Sequence, residues 1–310
     1  MAFCGCSSTL GGTGVPNKQR VVSSGVGLIA VPLKADDGTL NQILTGDVIN
    51  QAYVDAKVNE EDESKRWYPI GKIDFRNQED TRADPITETF SDGSSAITQQ
   101  GVRTYLGWLV DYAPAYIEQL NGLRCRDFGL FTISECFDLT GSISQDGAAL
   151  NPIKVNKSSW EPRYVKGTPT VSAKIQLAFE FSQLEKDEYL RVISGDEITA
   201  DLQNLEGLLP LAATISGQAT TGFVADLKVD FDIFLDASKE VVPGWVTADF
   251  AVLNKTTNLP VVITSVTESP EGTYTFVIPA QSPSDVLQLT NLKTTGTKPG
   301  FFLQQDVTIP

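Results

Sequence analysis

The sequence predicts a mainly β protein with two β domains, and three observations support this fold class. Residues 170–181, TVSAKIQLAFEF, alternate strictly between apolar and polar side chains, which is the pattern of a half-buried strand. Beyond residue 209, short segments rich in β-branched and aromatic residues recur between turn signals such as Pro243-Gly244. The chain has 310 residues, which is long for a single hydrophobic core.

The predicted domains are a flexible arm over residues 1–20, a β domain over 21–208 and a β-sandwich over 209–310. The arm is small, polar and glycine-rich, as termini without a packed partner usually are. The regular spacing of strands and turns after residue 209 is typical of an immunoglobulin-like sandwich. Arginine is absent from this last part, although both parts are acidic.

The elements of the first β domain follow from local patterns. Strands are predicted over residues 21–33, 67–75, 86–90, 96–110, 128–133, 136–139 and 170–181. Residues 113–122, APAYIEQLNG, predict a helix, because Pro114 suits its first turn and its apolar residues share one face. Residues 47–56 fit either a short helix or a loop, and residues 185–193 predict a short helix. Between two of the strands, Ser91-Asp92-Gly93-Ser94 predicts a tight turn.

Composition argues against most enzyme classes. The chain contains no histidine, so it holds neither a Ser-His-Asp nor a Cys-His arrangement. It also lacks the glycine-rich motifs that bind phosphates. A glycosidase requires only two carboxylates and stays compatible, but no pair of acids is placed together by the pattern. We expect no catalytic residue and no cofactor.

The net charge of −15 bears on possible partners. A chain this acidic is not expected to grip DNA, which requires clustered lysine and arginine. The charge either serves solubility alone or repels DNA that passes the protein. No apolar run is long enough to span a membrane, and the N-terminal residues do not form a secretory signal, so we expect no membrane contact.

The cysteines do not predict a metal site. Cys4 and Cys6 form half a site at most, and no histidine completes it. Cys125 and Cys136 are expected to be small buried side chains of the core.

One acidic segment, FVADLKVDFDIFLD, leaves two interpretations open. Its even-numbered aspartates would share one face of a strand and could offer oxygen ligands to calcium. The alternative, which we favour, is an outward acidic face, and we therefore expect no metal. The aspartates concerned are Asp226, Asp230, Asp232 and Asp236.

Two sets of residues are candidates for contacts between subunits. Aromatic and arginine side chains are enriched where proteins associate, although core packing is the alternative for the aromatic ones. This first set is Trp67, Tyr68, Arg103, Tyr105 and Trp108. The second set lies in the charged run over residues 59–66, which is expected to be a solvated loop. It consists of Asn59, Glu60, Glu61, Asp62, Glu63, Lys65 and Arg66.

Four segments occur in an order that resembles the tail tube proteins of long-tailed bacteriophages. They are WYPIGKI over residues 67–73, TETFSDG over 87–93, GVRTY over 101–105, and the predicted helix. The resemblance covers about residues 21–194. It implies a β-sandwich or half-barrel with one flanking helix, to which the C-terminal sandwich would be added as an outer decoration.

The resemblance also implies a function. About six copies would join their sheets edge to edge into a ring, and rings would stack into a tube that conducts DNA without binding it specifically. The candidates in the charged run and the arm would then contact neighbouring rings. The partners would be further copies and other tail proteins, and the location would be the virion tail, after assembly in the host cytoplasm.

Other functions fit the same composition. Another virion component, such as a tail terminator, a head decoration protein or a baseplate subunit, would show a similar strand pattern. A carbohydrate-binding or adhesive β module would fit the C-terminal sandwich, but it implies export, for which no signal is present.

Overall fold

A computed structural model describes residues 25–71, 73–74, 78–110, 112–229, 239–294 and 296–310. The chain is mainly β, as predicted, and its sheets curl in the manner of half-barrels. It divides into two compact units. The first comprises Met1–Lys57 and Ser64–Glu206, and the second comprises Val58–Glu63 and Gly207–Pro310. A short piece of the first half of the chain therefore belongs to the second unit. The predicted arm over residues 1–20 lies outside the described residues.

Among its described residues, the first unit contains two short helices and fourteen strands. In chain order the elements are β1 (Gly25–Pro32), β2 (Ile43–Leu44), α1 (Gln51–Val58), β3 (Tyr68–Ile70), β4 (Glu79–Arg82), β5 (Ile86–Thr89), β6 (Ser95–Gln99), β7 (Arg103–Val110), α2 (Tyr116–Gly122), β8 (Phe128–Ser134), β9 (Leu139–Ile143), β10 (Ala149–Asn151), β11 (Ile153–Lys154), β12 (Glu161–Val165), β13 (Lys174–Glu180) and β14 (Leu190–Ile193). The last residue of α1 belongs to the second unit.

The larger sheet of the first unit has the strand order β2-β10-β9-β8-β1-β3, with β11 also beside β8 and β14 beside β9. Strand β1, next to the edge strand β3, is a continuous apolar run, and residues 28–31 are buried on both faces. Such runs are typical of strands with cover on both sides. Strand β1 pairs antiparallel with β8, with Ile29 opposite Phe131.

The second sheet has the strand order β12-β13-β7-β4. In β13, Ile175, Leu177 and Phe179 are buried while the residues between them are half-buried, which confirms the central part of the strand predicted over 170–181. The strand begins later than predicted, and Val171, expected on the buried face, is exposed. These side chains share one core with Phe128 of the first sheet and with Trp160. The indole Nε1 of Trp160 donates to the carbonyl of Leu120 at 2.9 Å and so fixes α2 against this core. Fully burying one such large side chain is worth about 1.5–3 kcal/mol.

The structure confirms one predicted helix, favours the helix of two alternatives at a second place and contradicts a third assignment. The helix predicted over residues 113–122 is α2, and residues 47–56 overlap α1, so the described part of the chain has two helices and not one. The short helix predicted over residues 185–193 is wrong. Only Asp187–Tyr189 form a 3-10 turn, and Leu190–Ile193 form β14, which pairs with β9. Pairing with a neighbouring strand outweighs local propensity at this place.

The second unit is built on an eight-stranded sheet. Its strands are β15 (Leu209–Ala219), β16 (Gly222–Val229), β17 (Phe250–Asn254), β18 (Leu259–Val261), β19 (Ser265–Glu268), β20 (Thr273–Val277), β21 (Val286–Asn291) and β22 (Phe301–Thr308). Their order is β18-β17-β21-β22-β15-β16-β20-β19, with β15 and β22 parallel and the other pairs antiparallel. Alternate side chains of both halves, such as Phe223, Phe250, Phe276 and Leu289, share one core. The immunoglobulin-like topology stays a prediction.

Candidate interaction surface

Strands β5 and β6 form a hairpin that pairs with no other strand in the described part of the chain. Thr87 lies opposite Ile97, and Glu88 lies opposite Ala96. The tight turn predicted from the sequence closes the hairpin. There the Asp92 carboxylate accepts the backbone N–H of Ser94 at 2.9 Å, and Gly93 has a φ of 81°, which favours glycine.

Every residue of both hairpin strands is exposed. Three large apolar side chains are among the exposed residues of this segment, with exposed fractions of 58% for Ile86, 47% for Phe90 and 56% for Ile97. A two-stranded ribbon is at best marginally stable without further packing. Three exposed large apolar side chains on one short hairpin make it a candidate contact surface.

The apolar residues lie on both faces of the hairpin. Side chains alternate along a strand, and the backbone bond from Phe90 to Ser94 continues the register of β5, so Phe90 shares the face of Glu88; at Ile86 a bulge interrupts the register. Ile97 lies opposite Thr87 and therefore on the other face. A partner that covered one face would leave apolar area exposed on the other, so complete burial requires cover on two sides.

Arg82 holds the base of the hairpin. Its guanidinium forms two contacts of 2.9 Å with the Asp187 carboxylate and donates to the carbonyls of Gly101 and Glu185, each at 2.8 Å. The Arg82 side chain keeps the pKa of Asp187 below its ordinary value. The two ends of the hairpin, at Arg82 and Gly101, are thus joined to each other and to the residues before β14.

A second ion pair lies beside the first. Arg103 contacts the Asp80 carboxylate with Nε at 2.5 Å and Nη2 at 2.6 Å, and its Nη1 lies 3.8 Å from Asp187. Its guanidinium also lies 5.4 Å from the ring centre of Phe181. Arg103, a predicted subunit contact, is therefore engaged within its own chain and stiffens the base of the hairpin.

Close backbone packing completes the base. A Cβ on Gly101 would lie 1.7 Å from the carbonyl oxygen of Ala83, so only glycine fits there without a shift of the backbone. This glycine also divides the segment predicted as one long strand, or a pair of strands, over residues 96–110 into β6 and β7. The packing at Arg82, Asp187 and Gly101 has no signal in the local sequence, because it joins residues far apart in the chain.

The four-stranded sheet ends in two strands, β12 and β4, whose outer edges pair with no strand in the described residues. On β12, Tyr164 and Val165 are exposed. An unpaired edge presents backbone N–H and C=O groups that a further strand can pair with. One sheet thus offers two different edges for extension.

The other predicted contact residues are mostly internal. Trp67 is 3% exposed and packs against Tyr53 and Phe131, with ring centres 5.9 and 5.7 Å away. Tyr105 is 4% exposed and stacks on Phe179 at 4.8 Å. Both lie where the core-packing alternative places them, which leaves their side chains unavailable at the surface.

Two aromatic candidates are half-buried. Tyr68 lies on β3 opposite Ala30. Trp108 lies on β7, where the Lys174 ammonium is 4.1 Å from its ring centre. Their role in a subunit contact stays a prediction.

The run over residues 59–66 is a loop, as predicted, but the prediction that this loop is solvated is wrong. Arg66 is 3% exposed and Ser64 is fully buried. Lys65 forms an ion pair of 2.8 Å with Asp37, and of the run only Glu61 is exposed as a whole residue. Charged residues that are neighbours in this run contact different and distant parts of the chain, such as Asp37 for Lys65 and Lys293 for Glu61. Inter-ring contacts of Asn59, Glu60, Glu61, Asp62, Glu63, Lys65 and Arg66 stay a prediction.

Two cysteines differ from expectation. Cys125 is exposed and free, and Cys136 is half-buried and disulfide-bonded, so the prediction of two buried core thiols is wrong. Cys4 and Cys6 lie outside the described residues.

The acidic segment is described only in part. Asp226 on β16 pairs with Lys228 at 3.1 Å and accepts from the Thr273 hydroxyl at 3.2 Å. Asp230, Asp232 and Asp236 lie outside the described residues. In the part of the chain that is described, no group of three or more histidine, cysteine or acidic residues is placed to hold a metal ion. Neither helix there is long and apolar enough to cross a membrane.

Comparisons of the chain with family models, with curated proteins and with solved structures find no match.

Proposed function

We propose that this chain is a structural subunit that assembles with copies of itself into stacked rings, as in a phage tail tube. The observation that carries the proposal is the β5–β6 hairpin, which exposes Ile86, Phe90 and Ile97 on its two faces. Its base is fixed by Arg82, Gly101 and Asp187, so both ends of the hairpin are anchored. An element with anchored ends loses less conformational entropy when it is bound than a free segment does.

A second copy of the chain is the partner that the sheets favour. The unpaired edges of β12 and β4 differ from each other, so the edge of one copy meets the other edge of the next. Contacts of this heterologous kind form a closed ring when the rotation between copies closes. Sheet extension would also remove the open edges that threaten an isolated subunit with uncontrolled aggregation.

In a tube, the hairpin of one copy would insert between two neighbouring copies. Each neighbour would then cover one face of the hairpin. The net charge of −15 would let DNA pass without adhering to the wall. The ring of about six copies and the tail location follow from the resemblance described above, and we retain them as part of the proposal.

The experiment is negative-stain electron microscopy of the purified chain over a concentration series, with and without a tail-initiation complex. We expect rings or hollow tubes of uniform diameter. The triple variant Ile86→Ser/Phe90→Ser/Ile97→Ser should stay dispersed while its circular dichroism spectrum remains that of the parent.

The matched control is Val48→Ser, which removes an apolar side chain that is 68% exposed outside the hairpin. It should assemble like the parent chain. A parent chain that forms neither rings nor tubes under any of these conditions would overturn the proposal.

A further inference from the structure

The second compact unit includes a segment from far earlier in the chain. Val58–Glu63 belongs to this unit together with Gly207–Pro310. Val58 is buried with 4% exposed, and two polar residues of the segment, Asn59 and Glu61, bind the connection between β21 and β22. The contacts of Glu61 form a site built for a carboxylate.

The Glu61 carboxylate has three donors in the second unit. Oε1 accepts the backbone N–H of Lys293 and, at 3.1 Å, that of Thr294. Oε2 lies 3.1 Å from the Lys293 ammonium. Two backbone donors and one cation on a single carboxylate form a charge-assisted arrangement, which is stronger than a bond between neutral groups.

The lysine in this site is buried, with 5% of the residue exposed. Its Nζ lies 5.4 Å from the ring centre of Phe302 on β22. Among the described residues, Glu61 is the acid within ion-pair distance of Lys293. A buried ammonium that loses its partner carries a large desolvation cost, so the site depends on the arriving carboxylate.

Asn59 fixes the other end of the same connection. Its Oδ1 accepts the backbone N–H of Gly300 at 2.9 Å, and the Gly300 carbonyl accepts from Leu209 at the start of β15 at 2.8 Å. The parallel pair β15–β22 begins there, with Leu209 opposite Phe301. The segment therefore supports the point at which the two halves of the eight-stranded sheet join.

We propose that the second unit carries a carboxylate-binding site that is filled from the same chain by Glu61, and that Val58–Glu63 is an integral part of this unit. Residues 207–310 are then not a self-sufficient decoration domain, because their buried lysine has its counter-charge in the first half of the chain. This inference is independent of the proposed assembly.

The test uses the full-length chain and hydrogen–deuterium exchange of individual strands. In Glu61→Gln, the amide NH₂ of glutamine replaces the carboxylate oxygen that faces the Lys293 ammonium. We expect exchange of β21 and β22 to accelerate by about tenfold or more. The free energy lost with charge-assisted hydrogen bonds raises the population of the open, exchanging state by a factor of this size. Exchange of β13 in the first unit should not change.

The matched control is Glu271→Gln, the same change of charge at an exposed turn before β20. It should leave both units unaffected. The proposal is wrong if hydrogen–deuterium exchange of β21 and β22 is no faster in Glu61→Gln than in Glu271→Gln.

A second variant separates the ion pair from a general loss of folding. Glu61→Gln/Lys293→Met removes the buried charge together with its partner, and exchange of β21 and β22 should return toward that of the parent chain. A double variant that exchanges as fast as Glu61→Gln, or faster, would contradict a role of Glu61 as the counter-charge of Lys293.

Discussion

The β5–β6 and β15–β16 hairpins are both antiparallel ribbons of alternating residues, but they differ in what covers them. On β16, Phe223, Ala225, Leu227 and Val229 all point to one face and are buried in the core of the second unit. On β5 and β6, apolar side chains point to both faces, and every residue is exposed. The single apolar face of β15–β16 is buried by other parts of the same chain. The two faces of β5–β6 would both have to be covered, and the described part of the chain covers neither.

The two hairpins also differ in what holds them in place. Strand β16 continues into a sheet through β20, so its position is set by hydrogen bonds on both sides. The β5–β6 hairpin has no neighbouring strand and depends on Arg82, Asp187 and the close packing at Gly101. Four changes break or sharpen this comparison, from the largest expected effect to the smallest.

Shortening one apolar side chain in each hairpin should lower stability by very different amounts. Phe223→Ala should lower the free energy of unfolding by about 3–5 kcal/mol, because Phe223 is 2% exposed and a cavity would remain. Ile97→Ala should change it by less than about 0.5 kcal/mol, because Ile97 is exposed. Urea denaturation followed by fluorescence measures both. Equal destabilisation by the two variants would show that the hairpin is packed within the monomer.

Adding a methyl group at the base should disturb the hairpin alone. Gly101→Ala places a Cβ against the Ala83 carbonyl and should cost about 1–3 kcal/mol through a forced backbone shift. Limited proteolysis should then cut within residues 83–101 faster than in the parent. Gly46→Ala, where nothing lies within 4 Å of the new Cβ, is the control and should leave the cleavage pattern unchanged.

Arg82→Lys tests the same base with charge retained. Lysine cannot hold both oxygens of Asp187 and both carbonyls at once, so we expect a loss of about 1 kcal/mol and faster exchange of the amide protons of β4 and β5. Lys186→Arg, at a neighbouring exposed cation, is the matched control. Unchanged exchange in Arg82→Lys would show that the guanidinium does not hold the hairpin.

The base should also weaken in acid, which is the smallest effect. The pKa of Asp187 is lowered in the folded chain, mainly by its hydrogen bonds to Arg82. A carboxyl with a lowered pKa stabilises the fold fully above its unfolded value, about 3.9, and loses that contribution as the pH falls through the lower folded value. Hairpin exchange, corrected for the intrinsic rate, should therefore rise below about pH 4 in the parent. In Asp187→Asn the same step should be absent, and a step of equal size there would assign it to another group.

Sequence patterns predicted the secondary structure correctly where an element is determined mainly by its own residues. The structure contains the turn predicted at Ser91-Asp92-Gly93-Ser94, the helix α2 and, within the alternating segment 170–181, the strand Lys174–Glu180. The strands predicted for the second domain begin at Gly222, so β15 was missed, because Pro210, Gly217 and several alanines give it weak strand propensity. Its pairing with β16 and β22 supplies what the propensity lacks.

Burial was harder to predict than secondary structure. The charged run over residues 59–66 is typical of a solvated loop, but Glu61 finds its partner at Lys293, far along the chain. In the hairpin, alternation assigned the faces of β5 and β6 but carried no information on what covers them. Trp67 and Tyr105 show the reverse case, because residues that suit an interface suit a core equally well.

The most direct test of the central claim is hydrogen–deuterium exchange of residues 86–99 in assembled particles and in the dilute monomer. If another copy covers the hairpin, its amides should exchange much more slowly after assembly, while those of β16, already buried within the chain, should not change. Assembled particles in which residues 86–99 exchange as fast as in the monomer would contradict the account, because the hairpin would then not be the contact between copies.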